Sequence, residues 1–384
     1  MNRIRIALPE GCREIMERIR LKGGESYAVG GAVRDALLGR IPGDFDVTTS
    51  FEPEEIMALF PDKKQIPTGK NFGTIAIITC GEIYEVTTFR SDGGYTDFRR
   101  PDHVTFSKDV REDLARRDFT VNAMAWSEET GLIDPFGGQS DLKSHLLRAV
   151  GDPEKRFGED ALRIMRLVRF ASELSFQIEP ETGKAAKKLA PLLEAISGER
   201  LSVELEKLLK GPAALAVMKD YRLVLQAFLG EFDVPDTLTG AYPADLALLF
   251  INQPSEALQR ALERLKTSRH VREAAVFVHE NLKTPLEEGR IALRLLLSRA
   301  GEEKARLLLL AKAPERLEEL EDILRKGEAF ELSSLALNGR DAENELGTHG
   351  KETGEALTFL LNAVIREQVQ NQREALIRYW KEGK

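Results

Sequence analysis

The stretch Tyr27–Ser50, YAVGGAVRDALLGRIPGDFDVTTS, places two β-like runs around a short helical one. The paired glycines Gly30-Gly31 interrupt the first run, Val33 to Leu38 reads as helix, and Gly39 closes it as a C-terminal cap. In the second run, strand alternation points Asp44 and Asp46 one way and Phe45 the other. Two carboxylates a few ångströms apart raise each other's pKa unless a cation lies between them. Magnesium suits such a pair, because it takes hard oxygen ligands, few from protein and the rest from phosphates and water. A two-metal clamp on the attacking and leaving oxygens is the chemistry of nucleotidyl transfer. Just upstream, Gly30-Gly31 leads a strand into a helix start, where free N–H groups and the helix dipole favour a phosphate. Arg34, in the first turn, adds a charge-assisted donor for the same anion. Each half alone has an ordinary reading, as a turn and as exposed strand residues. A Rossmann fold is excluded, because the spacing is not GxGxxG and no βαβ series follows.

The 384 residues are too many for one core and imply two or more domains. A charged fraction of 31% and a hydrophobic fraction of 42% are those of a globular chain. MNRIRIALPE lacks the apolar core of a signal peptide, and no run approaches the roughly 18 apolar residues of a membrane span. Cys12 and Cys80 are the only cysteines and the five histidines have no ligand spacing, which excludes a disulfide framework and a zinc cluster. A cytoplasmic location is expected. The net charge of −8 weighs against nucleic acid as a partner, yet binding depends on where Lys and Arg cluster.

Strand-like runs, including FGTIAIITC and EIYEVTTFR with a tight turn at Gly81-Glu82, are confined to about the first 150 residues. SFEPEEIMALFP reads as a helix beginning near Pro53, capped by Ser50 and ended by Pro61. After about Arg148 the strand signals stop and Leu, Ala, Glu and Arg recur at helical spacing. Gly211-Pro212 and VPDTLTGAYP are the clearest breaks. The fold class expected is α+β, a small mixed-sheet head followed by a long helical remainder.

GGAVRDALLGRIPGDFDVTT resembles the signature of the class II tRNA nucleotidyltransferases, the CCA-adding enzymes, and of their relatives the bacterial poly(A) polymerases. Both belong to the DNA polymerase β-like superfamily. The resemblance implies Asp44 and Asp46 as magnesium ligands, with Gly30, Gly31 and Arg34 at the bound nucleotide. The superfamily usually carries a third acid on a neighbouring strand that helps deprotonate the attacking 3′-hydroxyl. Glu85, in EIYEVTTFR, is the candidate, with an ordinary strand residue as the alternative.

Two further motifs extend the resemblance. RRDFTVNAMA, Arg116 to Ala125, places two fixed cations beside a strand or turn. Taken alone it is a solvated basic pair with an Asp helix cap; in this context Arg117 contacts the triphosphate, and Asp118 and Asn122 serve the ribose or the loop. EDALRIMRLVRF, Glu159 to Phe170, is apolar around most of a helix, so its arginines line a cleft or form buried salt bridges, such as Asp160 with Arg163. On a helical wheel Asp160 and Arg163 are neighbours, with Arg166 and Arg169 continuing the row. An Asp acceptor beside an Arg donor matches the pairing edge of cytosine or adenine. The resembled family uses this EDxxR segment to select CTP and then ATP without a nucleic-acid template. By that resemblance Asp160 and Arg163 read the base, and Arg166 and Arg169 support them or contact phosphate.

RSDGGYTDFRRPDHVTF, residues 90–106, reads as a flexible loop; it is not shortened as in enzymes that add only two cytidines. NGRDAENELG, Asn338 to Gly347, looks like the family's tail that grips the outer corner of tRNA, or else an ordinary cap and turn. IRYWKEGK carries no long basic tract, which favours tRNA over a poly(A) substrate. The division implied is a catalytic head over 1–147, a base-selecting neck over 148–212, a helical body over 213–325 and a tRNA-binding tail over 326–384. The activity implied is addition or repair of the tRNA 3′-CCA from CTP and ATP, with release of pyrophosphate. Its rivals are addition of A alone, poly(A) synthesis, or a non-catalytic RNA-binding protein that keeps the fold. No protein partner and no membrane association are expected.

Overall fold

The computed structural model describes residues 5–94 and 103–383. Its main sheet begins with β1 (Ser26–Val29), β2 (Asp46–Thr49), β3 (Lys64–Gly69), β4 (Thr74–Thr79) and β5 (Glu82–Thr88). Next, β6 (Arg90–Gly93) and β7 (His103–Phe106) pair with each other as an antiparallel ribbon. The ends of residues 90–106 are therefore ordered, where the sequence suggests only loop; residues 95–102 lie outside the described residues. β8 (Ala125–Ser127) and β9 (Gly131–Ile133) complete a seven-stranded sheet in the order β3-β4-β5-β2-β1-β8-β9. Only β2 and β5 run parallel; the other neighbours are antiparallel.

Register gathers the site. Val29, the last residue of β1, pairs with Asp46 and with Ala125, while Val47 pairs with Val86. Glu85 therefore lies beside Asp46, and Gly30, Asp46, Glu85 and the segment entering β8 share one end of the sheet. Helix α1 (Glu10–Leu21) buries Cys12, Ile15, Met16 and Ile19, an i, i+3, i+4, i+7 stripe, against β1, β2 and β5. Tyr27, Val29, Phe89, Leu114 and Ala125 belong to a separate buried cluster.

Local details depart from sequence expectation by a residue or two. Helix α2 spans Gly31–Leu37, two residues earlier than its apolar run suggests. Helix α3 (Pro53–Leu59) is capped by a reciprocal Glu52–Glu55 box, not by Ser50, whose hydroxyl instead accepts the Glu25 N–H at 2.9 Å. The β4–β5 turn centres on Cys80-Gly81, with φ of 52° and 80°, and not on Gly81-Glu82. A two-residue turn of this hand needs positive φ at both positions.

Helices α4 (Val110–Ala115), α5 (Gly138–Lys143), α6 (Pro153–Glu159), α7 (Leu162–Leu174), α8 (Pro180–Leu189) and α9 (Gly198–Lys210) follow. Strand pairing persists past Arg148, since β10 (Leu146–Leu147) runs parallel to β11 (Gln177–Ile178). Helix α7 buries Ile164, Met165, Leu167 and Val168 and packs on α9.

The chain divides into two compact units, Met1–Gly230 and Glu231–Lys384. The second is helical among its described residues, with one apolar core around Leu293, Leu297 and Leu309 and another around Leu337, Leu360 and Leu376. Asn338 caps Gly339–Leu346 by accepting the Asp341 N–H at 3.0 Å. No helix among the described residues is long and apolar enough to cross a membrane.

Gly30 is required twice over. Its φ of 71° and ψ of −132° belong to glycine, and a Cβ there would lie 2.9 Å from Arg117 Nη1. Gly30→Ala should destabilise the first unit by about 1–3 kcal/mol, measured as a lower midpoint in chemical denaturation.

Candidate active site

Phe45 is buried while Asp44 and Asp46 are exposed, so the two carboxylates share a face although regular strand begins only at Asp46. Glu85 is exposed on the same side. The Asp46 side chain reaches solvent, yet enough protein packs around it for desolvation to raise its pKa. The Arg117 charge opposes that rise and Asp44 adds to it. Desolvation likewise raises Glu85, helped by the Asp46 and Asp44 charges. The three carboxyls thus feel one another electrostatically. Among the described residues, no group of three or more His, Cys, Asp or Glu is placed to hold a metal ion. A magnesium site does not need three, because water and phosphate complete its shell.

The glycine turn meets its cations from two directions. Arg117 Nη1 lies against Gly30, its Nη2 bonds Asp113 at 3.3 Å, and its buried Nε has no hydrogen-bond partner. Arg34 is itself buried. Its Nε and Nη2 grip Asp35 at 2.8 and 2.9 Å, and its Nη1 donates to Asn122 at 2.8 Å. Asn122 in turn donates to Asp118 at 3.1 Å, and Asp118 pairs with Arg166 at 2.7 Å. Burial alone would raise the Asp118 pKa, but Arg166 and the Asn122 hydrogen bond hold it well below the carboxylate range. Burial works against the charge on Arg166 as well, and Asp118 and Glu204 raise its pKa in spite of that.

Sequence reasoning misplaced one pairing. Asp160 precedes α7 in extended conformation, with φ −135° and ψ 104°, so it is not a wheel neighbour of Arg163. Its Oδ1 accepts the Leu162 N–H at 3.1 Å and its Oδ2 meets Arg200 at 3.0 Å. Arg163 bonds Glu159 at 2.8 Å, the Arg156 carbonyl at 3.1 Å and the Arg116 carbonyl at 3.0 Å. Arg169, which is buried, pairs with Glu204 at 2.9 Å and Glu173 at 2.7 Å.

A cavity of about 440 Å³ lies between these groups. From the sheet side it takes Gly30, Gly31, Arg34, Asp46 and Arg117; from α7 and its approach it takes Asp160, Arg163, Arg166 and Arg169. Asp44 and Glu85 do not line it. Seven arginines against three aspartates make the lining favour an anion. Several of those arginines are offset by carboxylates, Asp35, Asp113, Glu159 and Glu204 among them. Arg117 Nε and Arg200 Nη1 are buried donors without hydrogen-bond partners among the described residues. Arg200 and Phe170 line the cavity and escaped sequence analysis. Nothing local in SGERLSVEL distinguishes Arg200 from a solvated helix residue.

Three family models match the chain. They are the poly A polymerase head domain over residues 26–148, the probable RNA and SrmB-binding site of polymerase A over 175–228, and a putative tRNA nucleotidyltransferase domain 2 over 245–379. The CCA-adding enzyme of Limosilactobacillus fermentum is 40% identical over 392 residues, covering 96% of this chain and 96% of that relative. The CCA-adding enzyme of Geobacillus stearothermophilus is 52% identical over 200 residues, 52% of this chain. In that alignment the chain spans about half the relative's length, 49%. The crystal structure of the Bacillus stearothermophilus CCA-adding enzyme in complex with CTP superimposes with a TM-score of 0.81 at 34% identity, covering 98% of both chains.

The carboxylate crowding has a sign that can be measured. Asp46 and Glu85 both bind protons more tightly in the folded chain than is usual for their kind. Their contribution to stability is therefore present in acid and lost as pH rises through their folded pKa values. Without divalent ions, Asp46→Asn and Glu85→Gln should each raise the melting temperature by about 1–3 °C at pH 7. That gain should vanish near pH 4, as followed by calorimetry.

Proposed function

The chain belongs to the CCA-adding enzymes of the class II tRNA nucleotidyltransferase/poly(A) polymerase family, and on that footing we propose that it adds or repairs the 3′-terminal CCA of tRNA from CTP and ATP, releasing pyrophosphate. The observation that carries this reading is the single cavity shared by Gly30, Asp46 and Arg117 with Asp160 and Arg163. One wall suits a triphosphate and the other a base. The head, 1–147, performs transfer; the neck, 148–212, selects the base; the body, 213–325, and tail, 326–384, hold tRNA.

Asp44 and Asp46 are the residues that would hold magnesium, with Glu85 beside them. The fit rests on their chemistry: hard oxygen donors on one face, with Asp46 and Glu85 raised in pKa by burial and by their neighbours' charge. The bound metal would lower the cost of the attacking 3′-oxygen and the leaving pyrophosphate. Glu85, beside Asp46 and with its raised pKa, would accept the hydroxyl proton.

Backbone N–H groups after Gly30 and the Arg117 guanidinium beside them receive phosphate oxygens. Arg163 commits three of its five donors to Glu159 and two carbonyls, which aims the guanidinium and leaves two for a base. Asp160, held by Arg200 and the Leu162 N–H, presents its remaining lone pairs to the exocyclic amine of cytosine or adenine. Uracil and guanine offer the opposite donor pattern and would face an unpaired Asp–carbonyl clash. Arg166 and Arg169, anchored to Asp118 and Glu204, line the same wall and support this edge.

The deciding assay offers tRNA lacking CCA, tRNA ending in CC and an unrelated RNA, each with CTP, ATP or both, and sizes the products. Extension of the first by three nucleotides supports the reading. A chain that extends only tRNA ending in CC adds A alone, and one that extends any RNA with ATP is a poly(A) polymerase. Asp46→Ala, or chelation of divalent ions, should reduce incorporation at least about a thousandfold while gel-shift binding of tRNA persists. Arg163→Ala should lose about 1–3 kcal/mol of discrimination against UTP.

A further inference from the structure

We propose that Asp113, on α4, is a positioning residue for the incoming nucleotide, aiming Arg117 at the glycine turn. The inference rests on the function proposed above and adds to it a residue that does not line the cavity.

Asp113 is fully buried. Its Oδ1 accepts Nε and Nη2 of Arg116 at 3.0 and 2.7 Å, and its Oδ2 accepts Arg117 Nη2 at 3.3 Å. Thr48 Oγ1 also reaches Oδ2, at 3.2 Å, from the strand that begins with Asp46. One carboxylate therefore ties together the strand of the metal-binding acid and two consecutive guanidinium groups.

Each tie leads to the cavity. Arg117, held by one nitrogen to Asp113, presents Nη1 to Gly30 and leaves Nε unpaired. Arg116, gripped by Asp113 and approached by Asp92 at 3.8 Å, has its carbonyl oxygen 3.0 Å from Arg163 Nη2. Burial would raise the Asp113 pKa, but the two guanidinium charges hold it below the usual range, so the anchor stays charged at neutral pH.

Without that charge, Arg116 and Arg117 repel one another at close range. Asp46 then becomes a carboxylate for Arg117 to turn to, since the two already interact electrostatically. An Arg117 drawn onto Asp46 would blunt the phosphate site and occupy a metal ligand together.

The test is a double-mutant cycle on the full chain with Asp113→Asn, Arg117→Ala and the double variant. CTP binding is read by calorimetry, and kcat and KM for CTP addition are read on tRNA lacking CCA. Positioning through Arg117 predicts that Asp113→Asn raises KM for CTP about tenfold or more, with the double variant within about twofold of Arg117→Ala. Effects that multiply in the double variant, or an unchanged KM in the single one, overturn the proposal.

Arg117→Lys decides the matter if Asp113→Asn does not fold, because lysine keeps the charge but cannot bond Asp113 and face Gly30 with separate nitrogens. KM for CTP should rise about tenfold in Arg117→Lys with kcat changed by less than about twofold, and an unchanged KM overturns the proposal. A wild-type chain that adds no nucleotide to tRNA would defeat the proposed function. An active wild type with multiplying variant effects defeats only the role of Asp113.

Discussion

The ion pair between Asp118 and Arg166 is the joint on which the site depends. Its partners stand 48 residues apart, one after α4 and the other on α7, and their nitrogen and oxygen meet at 2.7 Å. Asp118 is buried, with Phe119 N–H and Asn122 completing its coordination. Loss of one partner from such a pair leaves an uncompensated charge and costs about 3–5 kcal/mol. Through Asn122 the same pair reaches Arg34 behind the glycine turn. Sheet end and α7 are thereby held at one spacing, and the cavity is the gap that remains.

Across that gap the charges are sorted by kind. Acids crowd the sheet end and pay for it in raised proton affinity, whereas many of the arginines have a carboxylate partner of their own. Uncovered acids attract a cation; arginines held by their partners present a fixed array of donors to an anion. A nucleoside triphosphate with its metal has both halves. The donors are already oriented, so little side-chain freedom is lost when the ligand arrives.

The second unit holds its charges in another pattern, with Arg290 paired to Asp322 and Glu328 at 2.8 and 2.5 Å. Buried Arg294 donates to the carbonyls of Ala329, Val364 and Ile365, joining the end of one helix to a distant loop within that unit. Leucine-rich cores and helix caps add to this framework. Asn338 caps its helix, and Asp341 of the same motif pairs with Arg373.

Local rules were enough for much of the site. The exposed–buried–exposed order of Asp44, Phe45 and Asp46, the glycine break before α2 and the mostly apolar circumference of α7 all follow from rules that act over a few residues. Turn chemistry was harder: Cys80 accepts positive φ because its neighbours close a hairpin, a demand that its side chain does not announce. What the chain order could not reveal was the choice of partner for each charge. Asp160 meets Arg200 across 40 residues instead of its near neighbour Arg163, and Asp113 serves two arginines and a strand hydroxyl at once. Coulomb attraction and hydrogen bonding depend on distance and direction in space. Only the packing of α7 on α9 and of α4 against the sheet supplies those distances.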